Sequence, residues 1–196
     1  MNVLGISEGF HDAGVCLLKN DKIHFASHSE RHSLKKGDKW IHPDQLPKTQ
    51  KYKPDVIAYY EKPFRKNLRR VYAGQKWQKP RRKYDVYFGH HESHAAAGYY
   101  TAPFDECNVL VIDAIGEWDT MSIWKGSVEN GYMGQKTHTL KKLSSWKYPH
   151  SLGLLYSAIT QRIGFKPNED EYITMGMAAF GDPKYDLENQ LWENNH

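Results

Sequence analysis

Residues 89–125 read GHHESHAAAGYYTAPFDECNVLVIDAIGEWDTMSIWK, and three kinds of segment follow one another in that stretch. Residues 92–100 (ESHAAAGYY) are rich in alanine, the strongest helix former, and Pro103 closes them because proline cannot continue a helix. Residues 108–113 (NVLVID) form a short, continuous apolar run, the pattern of a strand covered on both faces. Residues 120–125 (TMSIWK) are placed to pair back on that strand across a turn at Gly116. A helix that feeds a buried strand and its returning neighbour indicates an α/β protein.

The same pattern extends in both directions. Upstream, residues 2–7 (NVLGIS), 15–18 (VCLL) and 23–27 (IHFAS) read as three strands, joined by a glycine turn at 9–14 and a hairpin turn at Asn20-Asp21. Residues 29–50 are polar and irregular, with Gly37, Pro43 and Pro47. Residues 55–60 (DVIAYY) and 84–88 (YDVYF) read as strands around a basic helix. Downstream, a strand is expected over 132–140 and helices over 151–163 and 170–179. A second sheet is expected to begin after residue 108.

Composition narrows the classes. The 196 residues are 39% hydrophobic, 13% aromatic and 26% charged, too rich in regular apolar runs for a disordered chain. No apolar stretch reaches the roughly 18–20 residues that cross a bilayer, and the N-terminus lacks the basic and apolar regions of a secretory signal. Cys16 and Cys107 are too few for a disulfide scaffold, so a reduced cytoplasmic compartment is expected. The net charge of +4 hides a segment, residues 62–83, with ten Lys or Arg and no acid. That block could attract an anion or a nucleic acid. It also fits a solvated helix face, with Phe64, Leu68, Val71 and Tyr72 recurring at helical spacing on the other side.

The densest chemistry lies in the opening stretch. On a helix, His90 and His94 share one face a turn apart, close enough for two imidazole nitrogens to bind one metal. Asp113 ends an apolar strand, where a carboxylate emerges at the edge of a sheet. Two His and a carboxylate suit a divalent cation that keeps positions for substrate oxygens. Surface histidines and a turn-capping Asp113 are the alternative. A second candidate is the loop from Glu8 to Gly14, where Gly9 and Gly14 bracket His11 and Asp12, and where backbone N–H groups could face a phosphate. The alternative is a hairpin closed by an Asp turn. The hairpin at Gly116 repeats that logic. Lys36 stands in the polar segment, where it either reaches an anion or is simply solvated. Residues 166–181 lead through acids, Glu171 among them, into a helix of small residues.

Five segments taken together resemble a known family: GISEGFHDAGVCLL (5–18), SERHSLKK (29–36), residues 89–120, YPHSLGLLYSAITQRIGFKPNEDEY (148–172) and MGMAAFGDP (175–183). In this order they resemble the N-terminal domain of the O-carbamoyltransferases of nodulation and antibiotic tailoring, relatives of the tRNA threonylcarbamoyl transferases. The resemblance covers residues 2–183 and implies an actin/Hsp70-like ATPase (ribonuclease H-like) fold. It divides the chain into a first lobe, 1–106, and the start of a second, 107–196. It implies that His90, His94 and Asp113 bind a metal, iron(II) in that family, and that His11, Asp12 and Lys36 act beside the transferred carbamoyl group. Gly9, Gly14, Gly116 and Glu171 fall to nucleotide or donor binding. The implied reaction makes carbamoyl adenylate from carbamoyl phosphate and ATP in a C-terminal domain or a separate chain. The carbamoyl group then moves here to the hydroxyl of a small acceptor.

Two positions depart from the family pattern. Leu34 stands for the second arginine of E-R-x-x-R-x-K, and Ile173 for the lysine of E-Y-K-V-M-G-L-A. Each removes a positive charge expected near an anion. The resemblance also implies a final metal-binding aspartate and an adenylate-forming domain beyond residue 196, so the chain is expected to be the first part of an enzyme. The remaining alternatives are a nucleic-acid-binding module built on residues 62–83 and a non-catalytic fragment.

Overall fold

The computed structural model describes residues 1–46, 51–131 and 135–184. They form a mixed α/β protein with two compact units, one from Met1 to Ser151 and one from Leu152 onward. The first unit contains two sheets.

The first sheet opens with the expected meander. Strands β1 (Asn2–Ser7), β2 (Gly14–Lys19) and β3 (Lys22–His28) pair antiparallel. Strand β4 (Val56–Tyr59) then lies parallel to β1, and β5 (Val86–Tyr87) parallel to β4, giving the order β3-β2-β1-β4-β5. Alternation fixes the register. Leu4 faces Leu17 and Ile6 faces Val15, and all four are buried on one side of the sheet. Ala13, Ile41, Tyr59 and Tyr84 complete that core. A one-residue slip would turn every one of these apolar side chains to the opposite face. Between β3 and β4 lies the short helix α1 (Glu30–Ser33). The expected loop at 38–53 is described only in part, since residues 47–50 lie outside the described set.

The second sheet is an antiparallel sequence of β6 (Cys107–Gly116), β7 (Asp119–Asn130) and β8 (Lys136–Lys147). Strand β7 runs past the expected end at 125, and β8 replaces the strand expected over 132–140, whose residues 132–134 are outside the described set. The partners KTHTLKKLSSWK of β8 pair with β7 from Asp119–Lys147 to Asn130–Lys136, although they show little apolar alternation. A helix, His90–Tyr100, packs on this sheet through Ala95, against Val111 and Trp124. A Cβ on Gly126 of β7 would overlap the Tyr99 ring, so glycine is what lets this helix approach the strand. Both sheets belong to one compact unit.

One element reverses the sequence expectation. The basic helix α2 (Pro63–Tyr72) turns Lys66 and Asn67 inward and leaves Phe64, Leu68, Val71 and Tyr72 exposed. Its buried polar groups are paired: Lys66 reaches Glu61, and Asn67 exchanges two hydrogen bonds with the backbone of Gln78. Pairing of this kind is what makes burial of a lysine tolerable. With α2 placed, the helix from His90 to Tyr100 is α3.

The second unit holds α4 (Leu152–Arg162) and α5 (Glu171–Ala178). The Ser157 hydroxyl donates to Glu171, and Thr160 bonds to Thr174 across the pair. No helix among the described residues is long and apolar enough to cross a membrane.

Candidate functional site

Strands β1, β4 and β5 are parallel, so their carboxyl ends share one edge of the first sheet. Residues that follow those ends gather there, as ligand-binding groups do in open α/β sheets. Glu8 follows β1, Glu61 follows β4, and His90 begins α3 just after β5. Asp113 arrives on β6 of the second sheet.

Three donors converge at this place. The Nε2 atoms of His90 and His94 are 3.0 Å apart, and His90 Nε2 lies 2.9 Å from Asp113 Oδ2. One ligand atom from each of the three residues falls within 4.8 Å of the others. Donors at right angles around one cation, with bonds of about 2.1 Å, stand about 3.0 Å apart. The observed separations fit a divalent cation. Asp113 is 27% exposed and His94 is exposed, so one side of the cluster remains open.

Local sequence explains why the donors meet. Gly89 caps α3 and its N–H donates to Glu92 Oε2 at 3.0 Å, which starts the helix at His90 and puts His94 one turn on. Glu117, in the turn after β6, accepts from the N–H groups of Lys62 (2.7 Å) and His90 (3.3 Å). It thereby ties the first turn of α3 to the start of α2. A Cβ on Gly116 would overlap the rings of His90 and His91. The absence of a side chain there admits the histidines. His91 turns away from the cluster, as its position on the helix requires, and its Nδ1 meets Ser122 Oγ at 2.7 Å.

The electrostatics follow from two carboxylates around one imidazole. Burial alone would push His90 down, but Asp113 and Glu61 overcome it and raise its pKa to about 9. Burial would raise Asp113 and Glu61; the contact with His90, and for Glu61 also the Lys66 charge, outweighs it and holds both low. His94 is held low by burial and by the neighbouring His90 charge.

A family model described as the carbamoyltransferase N-terminus matches residues 55–195. The chain belongs to that family. It is 32% identical to an uncharacterized protein of Synechocystis sp., over 94% of this chain and 35% of that protein. It is 32% identical to an uncharacterized protein of Methanocaldococcus jannaschii, over 91% of this chain and 33% of that protein. It is 31% identical to Nodulation protein NolNO of Sinorhizobium fredii, over 55% of this chain and 15% of that protein. The chain spans about a third of the length of the first two relatives.

The other expected residues of this carbamoyltransferase domain fall in separate places. His11 Nδ1 lies 2.6 Å from Asp12 Oδ2 on an exposed loop, and His28 approaches Asp12 from the other side at 3.7 Å. Asp12 takes a positive φ of 51°, which the turn demands. Segment 38–39 clamps this loop: Ala13 N–H donates to Asp38 O, and Gly9 N–H to Lys39 O, both at 2.7 Å. The Gly9 N–H is therefore taken within the fold, and Gly14 is the first residue of β2, paired with Ser7 and His28. The phosphate cradle expected at those two glycines loses its Gly9 donor. Lys36 is exposed two residues before the clamp. Gly116 serves close approach to His90. Glu171 lies in the second unit, where it accepts from Ser157 and from the N–H of Asn168.

Basic residues of segment 62–83 are partly committed to internal partners. Lys66 pairs with Glu61 at 2.6 Å, Arg65 with Glu117 at 3.4 Å and Arg82 with Glu8 at 3.1 Å, and Arg81 stacks 3.4 Å over Trp40. Burial lowers the pKa of Arg69. These pairings weaken the case for a continuous nucleic-acid face.

Sequence reasoning did not single out Glu8 or Glu61, which are 2% and 3% exposed. The cue that identified Asp113, an acid directly after an apolar strand, applies to both: Glu8 follows NVLGIS and Glu61 follows DVIAYY.

Proposed function

We propose that this domain serves carbamoyl transfer from carbamoyl adenylate to the hydroxyl of a small acceptor. In this reading His90, His94 and Asp113 hold a divalent cation, iron(II) by resemblance to the family. The observation that carries the reading is the convergence of those three donors, two from helix α3 and one from β6 of the second sheet, at separations of 2.9 and 3.0 Å. When bound, such a cation polarises a carbamoyl or phosphate oxygen as a Lewis acid.

The chain's own residues supply the rest. Asp12, against Nδ1 of His11, leaves the other ring nitrogen free to take the acceptor's hydroxyl proton. Lys36 neutralises an anionic group of the donor. Gly9 and Gly14 shape the loop that carries His11. Gly116 keeps His90 in place, and Glu171 orders the turn into α5 for the nucleotide side. The antiparallel meander continued by two parallel strands supports the first lobe of an actin-like fold, with the second sheet beginning the next lobe. Adenylate formation from carbamoyl phosphate and ATP belongs to a C-terminal domain or a chain in trans.

The test is carbamoyl transfer by the protein together with the adenylate-forming part of a family member, given carbamoyl phosphate, ATP, iron(II) and a panel of hydroxyl acceptors. AMP and a carbamoylated acceptor are expected, and His11→Gln should lower kcat by about 10²–10⁴-fold. No product with any acceptor contradicts the proposal.

A further inference from the structure

Glu61 is a buried acid at this sheet edge whose two oxygens face different neighbours. Its Oε1 accepts from Lys66 Nζ at 2.6 Å and lies 3.4 Å from the Tyr59 hydroxyl, which itself donates to Glu8 O at 2.6 Å. Its Oε2 faces His90 Nδ1 at 3.8 Å. That nitrogen is buried and makes no hydrogen bond. A buried ring N–H without an acceptor is costly, and the separation is a few tenths of an ångström beyond hydrogen-bond range. The opposite nitrogen, Nε2, is the one aimed at Asp113 and His94. Tyr60 packs against the His90 ring with centroids 5.3 Å apart and the planes tilted by 60°, so the ring also has an aromatic neighbour. Lys66 in turn stands 5.3 Å over the ring of Phe10, next to His11. One carboxylate therefore joins the cation cluster to the loop that carries His11.

We propose that Glu61 is a positioning residue of the His90/His94/Asp113 centre: its buried carboxylate takes the Nδ1–H of His90 and turns the Nε2 lone pair toward the cation. A carboxylate behind a ligating imidazole fixes its tautomer and orientation, and losing such a partner typically weakens metal affinity about 10–100-fold. The inference rests on the metal-binding reading above and adds the residue that orients it. It also gives Lys66 a purpose, since the ammonium holds Oε1 and leaves Oε2 for the histidine.

The experiment is a cobalt(II) titration followed by the visible spectrum, in a His28→Ala/His42→Ala background so that the separate Asp12/His28/Glu30 and His32/His42/Asp44 clusters add nothing. This background variant, with its Glu61–Lys66 pair intact, is compared with one that adds both Glu61→Gln and Lys66→Met, so that neither a buried carboxylate nor a buried lysine is left unpartnered. The variant that carries Glu61→Gln and Lys66→Met is expected to bind cobalt(II) about 10–100-fold more weakly than the background variant. In the zinc-loaded protein, the His90 Nδ1–H proton should give a downfield resonance that moves upfield with the same substitution. Equal affinity and an unmoved resonance in the two variants overturn the role of Glu61 alone. Absence of cobalt(II) binding by the unaltered cluster overturns the metal reading and this inference with it.

Discussion

His90 has a carboxylate on the side of each nitrogen, Asp113 2.9 Å from Nε2 and Glu61 3.8 Å from Nδ1. In the metal-free protein this favours the imidazolium, and the pKa is raised from 6.5 to about 9. A folded-state value above the unfolded one stabilises the fold fully below about pH 6.5, and the contribution disappears as pH rises through about 9. Thermal unfolding of the metal-free chain should therefore show a midpoint that falls between pH 6.5 and 9. His90→Ala should flatten that fall. A midpoint constant over this range in the unaltered chain would contradict the arrangement of the two carboxylates. The His90 and His94 pair was legible in the sequence because an i, i+4 spacing has a fixed meaning on a helix. Glu61 was not, because a strand-end acid announces neither its burial nor which partner will reach it.

At the scale of elements, two glycines set how α3 meets the second sheet. A methyl group at Gly116 would strike His90 and His91, and one at Gly126 would strike Tyr99. Overpacking of this kind typically costs about 1–3 kcal/mol. Gly126→Ala is expected to lower stability to denaturant by that amount while leaving cobalt(II) affinity within about threefold, a bound set by its distance along the strand from the cluster. Gly116→Ala should lower both, because the group it displaces is itself a donor. If Gly116→Ala leaves cobalt(II) binding unchanged, close approach at that glycine does not order the site. The meander and the hairpin of β6 and β7 were readable from apolar runs and turn residues, but β6 is not covered on both faces as its apolar run predicts, since Leu110 and Ile112 are exposed. Helix α2 was misread for a physical reason. Its apolar spacing predicts that Phe64, Leu68, Val71 and Tyr72 turn inward, but these are exposed, and Lys66 is buried and paired with Glu61. The face turned inward is therefore the one that carries Lys66 and Asn67, both paired, and not the apolar one. Strand β8 was shortened in the sequence reading because lysines interrupt its alternation, while its pairing to β7 runs nearly the full length.

Across the whole molecule, pairs of sequence-distant segments meet at one sheet edge. The first sheet delivers Glu8 and Glu61 from parallel strands, α3 delivers the histidines, and the second sheet delivers Asp113. The loop of His11 is tied to the same edge through Gln78, whose side chain donates to Gly9 O at 3.1 Å, and through the Lys66–Phe10 contact. This arrangement predicts that substitutions at His11 and at His90 separate kinetically. His11→Gln should leave metal content intact while reducing turnover in the complete transfer reaction, as proton transfer alone is lost. Metal loss on His11→Gln would show that the two regions are not independent. The family could be read from ordered motifs, whereas the internal neutralisation of Arg65, Lys66 and Arg82 could not, since each partner lies outside the basic block or at its border.

Metal content tests the central claim most directly. Chain equilibrated with iron(II) under anaerobic conditions and freed of excess should retain one equivalent that is lost in His90→Ala, in His94→Ala and in Asp113→Asn, each of which must remain folded by circular dichroism. Equal iron in the unaltered chain and all three folded variants would contradict the account.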